Sequence, residues 1–176
     1  MPTVFGDESY ASHNGVGIYA IGLVLIPNAE IESARDIARS LRDPGQASIH
    51  FHDIKATRRG TLIDQVASGP WSASVWVARS NPRQQERARR ILLMHASFGR
   101  PSETWILESR NKTQDRHDLR LFASVFTDGK RNPVQLRHSP SSEEPLLWIA
   151  DVVASATATR IARGLDAPFR TQVCAL

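Results

Sequence analysis

Cysteine is almost missing from this chain of 176 residues: Cys174 is the only one. A disulfide framework and a cysteine-rich zinc site are both excluded on that ground. Lysine is nearly as scarce, since Lys55, Lys112 and Lys130 are the only lysines among 22 basic residues. No apolar run approaches the ~18 residues of a membrane span. The longest, from Val16 to Ile26, contains Gly and Tyr. The first residues lack the basic-then-apolar layout of a secretory signal, so a cytoplasmic protein with no membrane partner is expected. Disorder is excluded in turn, because 41% hydrophobic and 23% charged residues is an ordinary globular balance. The length suits one domain over residues 1–176.

What is present is arginine and a net charge of +4. The guanidinium fork donates two parallel hydrogen bonds to a phosphate, so the charge permits a nucleic-acid partner, DNA or RNA. It does not demand one, because genomic base composition alone can favour arginine over lysine.

Hydrophobic periodicity divides the chain into alternating elements. Thr3 to Glu8 reads as a short strand with Thr3, Phe5 and Asp7 on one face. A polar turn from Ser9 to Gly15 leads to a buried strand, Gly17 to Pro27, paired antiparallel with the first. A helix from Pro27 or Asn28 to Leu41 follows, then a short strand Ser48 to His52, a basic segment and a helix near Thr61 to Ala67. Trp71 to Ala78 alternates as a strand, and Asn81-Pro82 opens a helix to Phe98. Glu103 to Ser109 is the next strand, Asp115 to Phe126 a helix, and Pro133 to Arg137 a strand. The segment S-S-E-E-P opens a last helix to Arg163, with an irregular tail over 164–176. The order implies an α/β fold with a mixed central sheet flanked by helices.

The last helix, P-L-L-W-I-A-D-V-V-A-S-A-T-A, is apolar nearly all round and places Asp151 in its middle. An unpartnered aspartate there would lose its charge or cost several kcal/mol, roughly. A buried arginine or backbone donor would satisfy it, and so would a metal ion. Ala150, Ala154, Ser155 and Ala156 are small enough to let this helix approach a sheet closely. Asp7 and Glu108 end two strands. If those strands are parallel neighbours, their carboxyl ends lie side by side, where open α/β sheets form sites. Asp7, Glu108 and Asp151 would then converge, and hard oxygen donors without cysteine favour Mg²⁺ or Mn²⁺. Two such ions suit phosphodiester cleavage. Glu8 is a further candidate ligand, although alternation turns it away from Asp7. Glu143 and Glu144 suit helix initiation, with Glu144 also kept as a ligand.

These segments resemble one family. D-E-S at 7–9, before a hydrophobic strand, looks like the Asp-Glu-Ser-Gly opening of the domain of unknown function 3800 family. L-W-I-A-D at 147–151, after H-S-P-S-S-E-E-P, is similar to its Leu-Gln-x-Ala-Asp helix, and F-H-D-I-K at 51–55 to its mid-chain histidine segment. The resemblance implies an RNase H-like fold with acids placed like those of two-metal nucleases, in bacterial, phage, mobile-element or defence contexts. It marks Asp7 and Asp151 as metal ligands and Glu108 as the intervening acid. Tyr10 and Trp148 depart from the family's usual glycine and glutamine.

His50 and His52 share a face if their segment is a strand, and with His95, His117 or His138 they could form a zinc site. The alternative gives His52 a supporting role at the acidic site and leaves His50 structural. Lys55, Arg58 and Arg59 are candidates for holding a phosphate backbone. Arg83, Arg87 and Arg90 form a basic stripe on the helix after Asn81, either solvated or phosphate-tracking. The expectation is a divalent-metal-dependent nuclease. Against it stands an inactive nucleic-acid- or protein-binding module on the same fold, and a subunit of a homo-oligomer remains a third reading.

Overall fold

A tight hairpin begins the fold. β1 (Pro2–His13) and β2 (Val16–Pro27) pair antiparallel along their whole length, from Pro2 opposite Pro27 to His13 opposite Val16. Asn14 and Gly15 form the turn with φ of 48° and 79°. Asn-Gly is the pair that tolerates two left-handed residues, so the turn is two residues long and not the expected Ser9–Gly15 segment. The structure, a computed structural model, describes residues 2–98, 104–125 and 134–176.

The remaining elements are α1 (Ile31–Ser40), α2 (Ala56–Ala67), β3 (Ser72–Arg79), α3 (Gln85–Phe98), β4 (Thr104–Glu108), α4 (Lys112–Val125), β5 (Gln135–Ser139), α5 (Pro145–Ala162) and β6 (Thr171–Cys174). The expected ends at Glu103, Phe126 and Pro133 lie outside the described residues. Six strands among the described residues form one sheet in the order β5-β4-β1-β2-β3-β6. β2 runs against both neighbours, whereas β1–β4, β4–β5 and β3–β6 are parallel. This is an α/β fold with a mixed sheet.

Alternation along the strands sorts the core onto two faces. Phe5, Ile18, Ala20, Val24, Val75 and Ile106 pack with α1, α2 and α5. Val4, Tyr19, Ile21, Leu23, Trp105 and Leu107 pack with α3 and α4. No described helix is long and apolar enough to cross a membrane. The apolar run of α5 is explained instead by the sheet it covers.

Gly22 explains how closely α5 lies on the sheet. A Cβ there would sit 2.4 Å from the Ala150 carbonyl oxygen and 2.7 Å from the Ala154 nitrogen, both backbone atoms. Gly22 is also the residue opposite Asp7 on the neighbouring strand. The contact that seats the helix therefore lies beside the first carboxylate.

Three segments depart from the sequence reading. Ser48 to His52 is no strand: it ends in a 3₁₀ turn at Phe51–Asp53. Ile49, Phe51 and Ile54 enter the core at a spacing that is not alternating, and Asp151 takes the Phe51 amide. The basic segment before Thr61 is not a loop but the first turns of α2. The tail carries β6, which extends the sheet beside β3, and Phe169 is buried ahead of it.

Candidate functional site

β4 lies parallel to β1, with Gly6 opposite Leu107 at the last pair. One residue further come Asp7 and Glu108, both on the face that α5 covers. β4 ends there, while β1 continues with no strand beside it on that side among the described residues, as at the strand ends where open sheets form crevices. Asp7 is buried, and its own next amide, that of Glu8, donates to Oδ1 at 2.7 Å. Burial holds the Asp7 carboxyl well above the usual range, and the charge of Glu108 adds to it. Glu8, a hydrogen bond with Glu108 and the charge of Asp151 push it in the same direction. Two carboxyl groups this close cannot both ionise cheaply, which is a second reason, after burial, that the Asp7 carboxyl is raised.

α5 brings Asp151 to the same place. Its Oδ1 accepts from Ser155 Oγ at 2.7 Å, and Ser155 Oγ lies 3.0 Å from Ser9 Oγ of β1. Its Oδ2 accepts from the Phe51 amide at 2.8 Å. The backbone donor expected as one way to satisfy this aspartate is therefore present. Burial still raises the Asp151 carboxyl, with the Phe51 amide, Ser155, His52 and His50 acting against it.

His52 is exposed on the turn that supplies the Phe51 amide. Arg59 secures that turn: Nη2 donates to the His52 carbonyl at 2.8 Å and Nε to the Ile54 carbonyl at 2.9 Å. Arg58 donates to the Leu41 carbonyl and pairs with Asp43. The two expected phosphate-holding arginines are thus engaged in holding the loop, while Lys55 is exposed. His50 bonds Ser48.

Glu8 points to the opposite face, where it meets a residue that sequence reasoning missed. Arg89 of α3 is 2% exposed and pairs with both Glu8 and Asp118. Arg110 lies 3.6 Å from Glu8 and 3.4 Å from Asp118, and also pairs with Glu86. His138 Nε2 lies 3.1 Å from Asp118 Oδ2. Burial works against the Asp118 carboxylate, but hydrogen bonds from His138 and Arg89 and the charges of Arg89 and Arg110 bring it down to about 2. Burial also pushes Glu8 up, and the two arginines pull it back. Glu8 is therefore apart from the other candidate ligands, in an ion-pair network. Arg89 has Leu92, Leu93 and Ala96 at helical spacing on its own face, which was the available signal for its burial.

The other ligand candidates are dispersed. Glu144 caps α5 by accepting from the Leu146 amide at 3.2 Å and is clasped by Arg35. His95 stacks on Trp76, His138 is bound to Asp118, and His117 is exposed on α4. Among the described residues, no group of three or more His, Cys, Asp or Glu side chains is arranged to hold a metal ion. The zinc arrangement therefore does not assemble. Asp7, Glu108 and Asp151 gather as neighbours without converging on one point.

A cavity of about 390 Å³ opens beyond the end of β4. Asp151, Ser155 and His52 line it from the α5 side, and Glu8, Tyr10 and Arg110 from the other. It thus joins both faces of the sheet at the free edge of β1. No protein-family model matches the chain, and no curated protein matches it either.

Proposed function

We propose that this chain is a divalent-metal-dependent, nuclease-like protein with an RNase H-like fold, acting on nucleic-acid phosphodiesters at Asp7, Glu108 and Asp151. One observation carries the reading: the chief charged neighbours of buried Asp7 are Glu108, Glu8 and Asp151, and each pushes its carboxyl upward. Buried charges are ordinarily paired or coordinate metals, and a cation relieves this repulsion. Hard oxygen donors suit Mg²⁺ or Mn²⁺. The antiparallel first strands and the parallel β4 beside β1 support the RNase H-like reading, as does the resemblance of D-E-S, F-H-D-I-K and L-W-I-A-D.

When bound, Mg²⁺ or Mn²⁺ supplies the positive charge that polarises a phosphodiester. The chain's own groups do the rest. Asp7, Glu108 and Asp151 would hold the ion, and the raised Asp7 carboxyl would make affinity rise with pH. Ser155 and the Phe51 amide fix the Asp151 carboxylate. His52, on the turn held by Arg59, stands at the cavity to pass a proton to or from the reacting oxygen. Isothermal titration with Mn²⁺ tests the site: Asp7→Asn and Asp151→Asn should each weaken binding at least tenfold. Wild-type affinity in both variants removes the site from consideration.

The second reading is an inactive nucleic-acid- or protein-binding module on the same fold. The engagement of both Asp151 oxygens by protein donors favours it. A panel of single- and double-stranded DNA and RNA incubated with Mn²⁺ separates the two, because the inactive module binds with steep salt dependence and leaves every substrate intact.

A further inference from the structure

The basic stripe of α3 acquires a second wall in the fold. Arg87 and Arg90 of α3 face His117 and Arg120 of α4 across a groove of about 500 Å³. Its floor includes Arg89, Asp118 and Leu121. The acids of this face are already committed: Glu8 and Asp118 to Arg89 and Arg110, and Glu86 to Arg110. Arg87, Arg90 and Arg120 are exposed and, among the described residues, have no salt-bridge partner. The groove therefore presents three uncompensated guanidinium groups above a neutralised floor.

Glu86 lines both this groove and the cavity at Asp151 and His52. The two hollows thus meet at one residue at the free edge of β1.

We propose that the α3–α4 groove binds the phosphate backbone of a nucleic acid and leads it to the acidic cavity. Guanidinium forks match phosphate oxygens bidentately. Among the described residues no Phe, Tyr or Trp lines the groove, so backbone tracking is favoured over base stacking. Among the described residues Leu121 is its only large apolar lining residue, which is a poor centre for a protein interface. The proposal rests on the nuclease-like reading for the direction of the strand but not for binding itself.

Fluorescence anisotropy in chelator, with labelled single-stranded DNA, duplex DNA and single-stranded RNA, tests it independently of any metal. Replacing Arg87, Arg90 and Arg120 together by Gln should weaken the preferred ligand on the order of tenfold or more, and flatten the salt slope by about 2 to 3. A matched variant, Arg79→Gln with Arg163→Gln and Arg170→Gln, removes the same charge from exposed positions elsewhere and should lose far less. Because this assay holds no metal ion, failure of the metal site leaves its result standing. Circular dichroism confirms that the exposed substitutions leave the fold intact. The proposal is overturned if the groove variant binds like wild type or the matched control loses as much. It is also overturned if wild type binds no nucleic acid, or if polyglutamate competes as well as unlabelled oligonucleotide, which would assign the groove to an acidic protein.

Discussion

Asp7 and Glu8 are consecutive acids of one strand, and the two faces of the sheet treat them in opposite ways. Glu8 enters a network in which Arg89, Arg110 and His138 meet the acids. Asp7 enters a region where Glu108, Glu8 itself and Asp151 are its chief charged neighbours, and each raises its carboxyl. The same burial therefore serves stability on the α3–α4 face and stores repulsion on the α5 face. A region that is electrostatically finished supports structure, whereas an unfinished one awaits a ligand.

The comparison breaks most violently at Arg89. Arg89→Met should cost about 3–5 kcal/mol in urea unfolding, because Glu8 and Asp118 are left buried without a partner. Adding Glu8→Gln and Asp118→Asn to that variant should recover part of the loss. A smaller effect is expected at the seat of α5. Gly22→Ala drives a Cβ into the Ala150 and Ala154 backbone and should cost about 1–3 kcal/mol. It should also weaken Mn²⁺ binding through displacement of Asp151, as measured by calorimetry. On the unfinished side the sign reverses. Metal-free Asp7→Asn should be more stable than wild type at neutral pH by on the order of 1 kcal/mol, since it removes a charge that burial and its neighbours oppose.

The gentlest probe is pH. Asp7 and Asp151 have folded-state values above their unfolded ones. The stability they contribute is complete below the ordinary carboxylate range and is lost as pH rises through their raised values. Asp118 behaves oppositely: its contribution is present above the ordinary value of 3.8 and is lost as pH falls through about 2. Denaturant midpoints measured across pH should therefore show Asp7→Asn reducing the loss of stability as pH rises above the ordinary carboxylate range, and Asp118→Asn flattening the acid limb.

Much of this arrangement was legible in the sequence. Alternation placed Asp7 and Glu8 on opposite faces, strand ends paired Asp7 with Glu108, and small residues in α5 anticipated its close seat. Arg89 was hidden because an arginine between two others on a polar helix reads as solvated, and only a partner distant in sequence makes its burial affordable. His50 and His52 suggested a strand by their spacing, but a side chain 100 residues away, Asp151, captures the Phe51 amide and turns the segment. Arg58 and Arg59 looked free because most of their acceptors are backbone carbonyls, which carry no sequence signature, and Asp43, which Arg58 also meets, is 15 residues away. β6 is short and gains its strand character from β3.

The most direct test is the urea midpoint of wild type and Asp7→Asn at neutral pH, with and without Mn²⁺. An unfinished acidic site predicts that the ion stabilises wild type by mass action. Asp7→Asn should start more stable and respond little to the ion. A metal-free Asp7→Asn less stable than wild type, together with an equal response of both proteins to Mn²⁺, would contradict the account.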